Sequence, residues 1–287
     1  MTPGTLEQLP HLLSLLDDPS LVVRSEIRSA LSEYGYFLRP ASRKWAAERP
    51  TEIKEEWDFI CRMAESKALE QTWLSWMLLH KQSDQIEAGM KALELGGSYS
   101  GSFIHDSLED LVQEFYALRK GPYSLDDLIQ FLFEKKGFDK TLREQHYLQH
   151  RLGYILRYRR GSQLGLGILV MILADRIGIA VSLIKFQGNW LLLHRHAEEV
   201  WMYNPEQHCA KLLRSREMIL EESYRRGHLS TDNLAAGTSE IMEEIIESHI
   251  AGYKRSGLHV RETEMEEKLQ SLRQEKERRD LASFLIE

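Results

Sequence analysis

Residues 161–178 read GSQLGLGILVMILADRIG, and this run decides the fold. From Leu164 to Ala174 every residue is apolar or glycine. Crossing a bilayer takes about 20 apolar residues, so so short a run predicts a buried core helix instead. Gly178 closes it, and Gly165 and Gly167 predict close packing of the helix against a sheet. Downstream, Val181–Phe186, Asn189–His194 and Val200–Tyr203 are β-prone, with turns at Gln187-Gly188 and Ala197–Glu199. A buried helix leading into three short antiparallel strands predicts an α+β unit.

Away from this unit the chain reads as helix. Thr5 with Gln8 suggests a capping box, and Leu9, Leu12, Leu13 and Leu16 keep helical spacing. Asp17-Asp18-Pro19-Ser20 stops that helix and starts another, with Val23, Ile27, Ala30 and Leu31 inward and Gly35 at its end. The pair resembles one HEAT-type hairpin; an array needs about three copies. Further helices are expected over 37–48, 51–80 and 83–95, with Trp45, Trp57, Trp73 and Trp76 in their core. The glycine- and serine-rich stretch 96–102 reads as a linker. Ser124 with Asp127 caps a helix that ends near Lys136-Gly137, and residues 143–158 read as another. Helix is again expected over 213–226 and 238–256. The tail 261–279 reads as a solvated helix laced with ion pairs, although Met265, Leu269 and Leu272 keep helical spacing. The expected architecture is therefore mostly helical α+β: a helical region over 1–95, an α+β core over 103–215 and a helical region over 216–287.

The chain has 287 residues, 43% of them hydrophobic, which suffices for a sizeable core and argues against disorder. A formal net charge of −7 argues against general nucleic-acid or anionic-membrane binding. Two cysteines, Cys61 and Cys209, cannot build a disulfide framework, which points to a reducing compartment. The opening Met1-Thr2-Pro3-Gly4 has neither the basic nor the apolar region of a signal peptide, and a cytoplasmic location is expected. No phosphate loop is present, since Gly161, Gly165 and Gly167 lack a trailing Lys-Ser/Thr. The basic run Arg157-Tyr158-Arg159-Arg160 is expected to pair with glutamates.

Several pieces in order carry a family resemblance. Leu132-Phe133 precedes Gly137-Phe138, and Ile155-Leu156 precedes Arg159-Arg160-Gly161. The apolar helix ends in Ala174-Asp175-Arg176-Ile177-Gly178. Gln187-Gly188-Asn189-Trp190-Leu191 and Trp201-Met202-Tyr203-Asn204-Pro205 follow. With these pieces, residues 128–215 resemble bacterial transglutaminase-like proteins of the SirB type, a divergent branch of the papain-like superfamily. Ile246, Tyr253 and Gly257 extend the resemblance downstream.

Active members of that superfamily carry out acyl transfer. A cysteine near the start of the buried helix attacks, with its thiol pKa lowered by the helix dipole. A histidine on a following strand takes the proton, and an aspartate on the next orients it. The resemblance puts the cysteine position on Gln163, the histidine position on Asn189 and the aspartate position on Asn204. None of the three side chains can do the corresponding work. The resemblance therefore implies a pseudo-enzyme acting in regulation or protein–protein interaction, with a protein partner and without cofactor or metal.

Two alternatives stay open. One is a thiol-dependent peptidase or acyltransferase using a displaced Cys209 with His194, His196 or His208. Those four residues could also form a metal site, but His-x-His without supporting carboxylates reads first as a polar loop on a strand edge. The other is a scaffold whose cleft is closed by Gln163, Asn189 and Asn204, buried and bonded to one another. Ser162, beside Gln163, has no histidine or acid near it in the pattern. Cys61 reads as a small buried apolar residue.

Overall fold

Apolar spacing and capping explain most elements of the computed structural model, which describes residues 6–71, 73–94, 101–118, 122–141, 147–196, 199–205, 210–213 and 235–284. The chain divides into two compact units, Met1–Leu93 and Glu94–Glu287.

In the first unit, a 3₁₀ turn leads into α1 (Leu9–Ser14), and α2 (Leu21–Ser32) follows. Ser20 caps α2, its hydroxyl accepting the Val23 N–H, while Asp18 accepts the Ser20 N–H at 2.8 Å. Leu9, Leu13, Leu16, Ile27 and Leu31 pack with Leu38, Trp57 and Ile60. The last three come from α3 (Leu38–Ala47) and α4 (Thr51–Gln71). Thr5, half of the expected capping box, lies outside the described residues. The helix expected over 51–80 instead gives way after Gln71 to a 3₁₀ turn, Ser75–Leu78, before α5 (Gln82–Glu94). The reason is local: Gln85 Nε2 donates to Met77 O and to Leu79 O at 2.6 Å, so the freed carbonyls are satisfied without a continuing helix. Of the four tryptophans expected in the core, Trp57 and Trp76 are buried, while Trp45 and Trp73 are half-buried. Cys61 is buried, and burial pushes its thiol pKa up to about 12, so it is an inert apolar residue at neutral pH.

The second unit contains α6 (Gly101–Leu118) and α7 (Leu125–Ile129), which continues as a π-helical turn over Gln130–Lys135. Ser124 and Asp127 form the expected capping box, and Gly137, at φ +70°, ends the segment. A 3₁₀ turn (Tyr147–His150) precedes α8 (Leu152–Tyr158). Two short strands, β1 (Asp139–Lys140) and β2 (Arg160–Gly161), pair in parallel and were not expected, being too short to show a period. Among the described residues the acidic partner of the basic run at 157–160 is Asp139, 4.0 Å from Arg160 Nη1, rather than a glutamate. Arg159 and Arg160 donate to the Lys136 and Gly137 carbonyls at the end of the π-helical turn.

The run at 161–178 is α9 (Gln163–Arg176), with every residue from Leu164 to Ala174 buried. It lies on a four-stranded antiparallel sheet in the order β3 (Val181–Phe186), β4 (Asn189–His196), β5 (Glu199–Asn204) and β6 (Ala210–Leu213). Gly167 permits that approach, since a Cβ there would sit 2.8 Å from the Leu183 side chain on β3. Gly165 instead faces Ile155 and the Gln149 carbonyl, away from the sheet. The opposite sheet face carries Ile184, Phe186, Leu191, Leu193 and Met202, all buried. Residue 213 belongs to β6 rather than to the helix expected from there, and 214–226 lie outside the described residues.

Helices α10 (Thr238–Arg255) and α11 (His259–Phe284) form a closing hairpin. The tail is not solvated on all sides: Met265, Leu269 and Leu272 are buried. They make a narrow apolar seam at i, i+4 and i+7, which the surrounding charge obscures in the sequence. Glu275 with Arg278 and Arg279 supplies the expected ion pairs on the outer face. Among the described residues, no helix is long and apolar enough to cross a membrane.

Candidate functional site

The start of α9 is built by the segment before it. Helix α8 ends on Arg159 in the left-handed region, φ 55°, which turns the chain into β2. Gly161 then passes so close to Ile155 that a Cβ would lie 3.0 Å from it. Ser162 caps α9: its hydroxyl accepts the Gly165 N–H at 3.0 Å, and its own N–H donates to Gln149 O at 2.9 Å.

Gln163, the first helical residue, ties this end of α9 to the sheet. Its Nε2 donates to Asn204 Oδ1 at 2.9 Å, and its Oε1 accepts the Trp190 backbone N–H at 3.0 Å. One carboxamide therefore joins the last residue of β5 to the second residue of β4. Gln163 and Asn204 are half-buried. Asn189 is exposed and stays out of the bridge, donating instead to the Gln187 carbonyl across its turn at 3.3 Å. The network of three buried amides that the scaffold alternative requires is thus reduced to a half-buried pair plus a backbone N–H, because Asn189 sits on the hairpin rim while its neighbour Trp190 faces inward.

His194 lies five residues further along β4, about 17 Å from Asn189 at the usual strand rise. Its Nδ1 is 2.9 Å from the Ala180 carbonyl. Strand β4 is interior, paired to β3 and β5, so His194 and His196 are not on a strand edge as expected. Ladders on both sides, to β3 and to β5, place these two histidines within the sheet. The side chain of His196, with His208 and Cys209, lies outside the described residues.

The structure adds a residue that sequence reasoning missed. His150 Nδ1 is 2.9 Å from Ser162 Oγ, and its Nε2 is 3.2 Å from Gln149 Nε2. Burial pushes the His150 pKa down to about 4, partly opposed by Glu244 on α10, so the imidazole is neutral at pH 7. No sequence signal marks the pair, because only tertiary packing joins residues 150 and 162.

Behind this pair the 3₁₀ turn rests on α10. Tyr147 packs against Tyr253 with ring centroids 4.5 Å apart and planes tilted by 42°, and Arg151 Nη2 donates to Tyr253 Oη at 2.5 Å. His249 is fully buried there, and burial, with Arg151 and His150 nearby, drives its pKa well down. Glu94, the first residue of this unit, accepts the Gly153 N–H at 2.8 Å and so caps α8. Burial raises its pKa to about 7. One imidazole among amides and a hydroxyl is a poor donor set for a divalent metal, which favours several imidazole, thiolate or carboxylate ligands. It suits proton transfer and hydrogen bonding better.

Residues 103–242 match the family model described as the transglutaminase-like superfamily. The matched stretch begins within α6 and ends within α10, and it contains Ser162, Gln163 and the whole four-stranded sheet. Nothing among curated proteins or solved structures matches the chain.

Proposed function

We propose that this chain is a SirB-type transglutaminase-like protein that acts by binding a protein partner in a regulatory role, without acyl transfer at positions 163, 189 and 204. The observation that carries this reading is the Gln163 bridge. A carboxamide at the start of the buried helix has no nucleophilic electron pair at neutral pH, and here both of its ends are engaged by Asn204 and Trp190. Asn189 presents a neutral amide to solvent where the resemblance implies a base, and Asn204 brings no charge to hold an imidazolium. The bridge stiffens the helix–sheet junction, which favours a surface for recognition over a cleft for turnover. The buried, free thiol of Cys61 is in keeping with a reducing, cytoplasmic setting.

A restoration experiment tests the reading. The triple variant Gln163→Cys, Asn189→His, Asn204→Asp is treated with iodoacetamide between pH 5 and 8, alongside Gln163→Cys alone. The expected result is that the introduced thiol reacts faster in the triple variant and stays reactive below pH 7, with no incorporation of a fluorescent amine into a glutamine-donor protein by the wild type. Equal reactivity in both variants, or amine incorporation by the wild type, overturns the reading.

A further inference from the structure

Ser162 and His150 stand beside the three aligned positions but are not among them. The hydroxyl and Nδ1 are 2.9 Å apart, and both residues keep part of their surface in solvent. We propose that Ser162 is a nucleophile with His150 as its base, and that it accepts an acyl group from an activated oxyester or thioester. This goes beyond the binding role above and shares no residue with it, so either can fail alone.

Four features support the assignment. The hydroxyl and imidazole are already within proton-transfer distance, which is the geometric requirement for an activated serine. The hydroxyl sits at the cap of a 14-residue helix whose body is wholly buried, and it already accepts the Gly165 N–H at 3.0 Å. That N–H and the positive end of the helix stabilise negative charge developing on Oγ as its proton leaves. The Ser162 N–H donation to Gln149 O at 2.9 Å clamps the 3₁₀ turn to the helix start, so the base and nucleophile approach without loop freedom. Gly165 keeps the junction tight, since a Cβ there would lie 2.9 Å from the same carbonyl.

The tautomer determines the direction of transfer. With the imidazole proton on Nε2 and the Gln149 amide oxygen turned toward it, the Nδ1 lone pair receives the hydroxyl proton. A half-turn of the Gln149 amide exchanges its oxygen and nitrogen, so both orientations fit the same side-chain outline. Oγ then attacks the carbonyl carbon and its proton moves to Nδ1. The bond from that carbon to the leaving oxygen or sulfur breaks, and Nδ1 returns the proton to the departing alkoxide or thiolate. The products are an O-acyl serine and a free alcohol or thiol.

The test uses the full chain and a fluorophosphonate probe, which a nucleophilic serine attacks with loss of fluoride, followed by peptide mapping. The partly exposed Ser182 on β3 is the internal reference. The expected adduct is on Ser162, at least about tenfold faster than on Ser182, and slowed about 100-fold in His150→Gln, the usual scale for loss of a general base. Ser162→Asn keeps a good helix cap while removing the hydroxyl, and it should abolish the adduct at that site. If His150→Gln does not fold, the wild-type pH profile decides instead. Labelling that rises to a plateau reports imidazole catalysis, whereas a rate proportional to hydroxide throughout overturns the proposal. Absence of an adduct on Ser162, or an unchanged rate in folded His150→Gln, overturns it as well.

Discussion

The Glu94 carboxylate accepts the Gly153 backbone N–H at 2.8 Å and is almost wholly buried, so an acidic side chain distant in sequence serves as the cap of α8. Arg151, the residue at the cap position itself, makes no side-chain capping bond. Burial raises the Glu94 pKa from 4.5 to about 7, with the Gly153 N–H and Arg151 opposing. The folded chain thus holds a proton that the unfolded chain has released between those values, and stability from this group falls as pH rises through that window. Glu94→Gln keeps the acceptor and removes the titration. Its unfolding free energy relative to wild type should grow by about 2–3 kcal/mol from pH 5 to pH 8, measured by urea denaturation. An unchanged difference would show that Glu94 titrates normally.

His150 has the opposite sign. Its pKa is lowered from 6.5 to about 4, so the unfolded chain takes up a proton in that window while the folded chain does not. Stability is present above pH 6.5 and is lost as pH falls toward 4. The contribution is at most about 3 kcal/mol, less any screening from the ring's partial exposure. His249 acts in the same direction, since its pKa is lowered as well. The expected outcome is that His150→Gln narrows the stability gap between pH 7 and pH 4.5, read from melting temperatures at the two values.

Two glycines should respond differently to alanine. At Gly252 on α10 a Cβ would lie 2.4 Å from Tyr147 Cβ and 3.2 Å from its Cα, atoms fixed by the backbone of the 3₁₀ turn. At Gly167 the obstacle, 2.8 Å away, is a terminal methyl of Leu183, which can rotate aside. Gly252→Ala is expected to cost more than about 2 kcal/mol, as overpacking against rigid atoms does. In Gly167→Ala the gain in helix propensity, about 1 kcal/mol, offsets most of the strain. Chemical denaturation of the two variants gives the comparison.

The parts of this fold legible in the sequence are those set by local chemistry. The eleven buried residues of α9 form an unbroken apolar run between Ser162 and Gly178. The hairpin at Gln187-Gly188 is legible from Gly188, which takes φ +79° freely, whereas Gln187 is held at φ +49° by the turn it shares with that glycine. Strand β6 was hidden because Ala210-Lys211-Leu212-Leu213 has helix-forming composition and becomes a strand only by pairing with β5. The inner face of α11 was hidden because three apolar residues stand among many charges. Gln163 and Asn204 were found through resemblance, but their bond was not, since it depends on how α9 meets the strand ends. The Glu94 cap and the His150–Ser162 pair depend wholly on tertiary approach, and no spacing rule reaches them.

The Gln163 bridge makes a contrast between neighbouring amides. Gln163→Ala removes the partner of the Trp190 N–H and one partner of Asn204 in a half-buried junction. Leaving such groups unpaired costs about 1–3 kcal/mol, and hydrogen exchange at the Trp190 amide should accelerate by the corresponding factor if the junction opens locally. Asn189→Ala removes only an exposed 3.3 Å bond to Gln187 O and should change stability by less than about 0.5 kcal/mol. Gln163→Glu keeps the acceptor for Trp190 but turns its second oxygen toward Asn204 Oδ1. The bond is recovered only if the Asn204 amide rotates to donate, so this variant should fall between the other two. Equal loss in Gln163→Ala and Asn189→Ala would mean that Asn189, rather than the bridge, secures the strand ends.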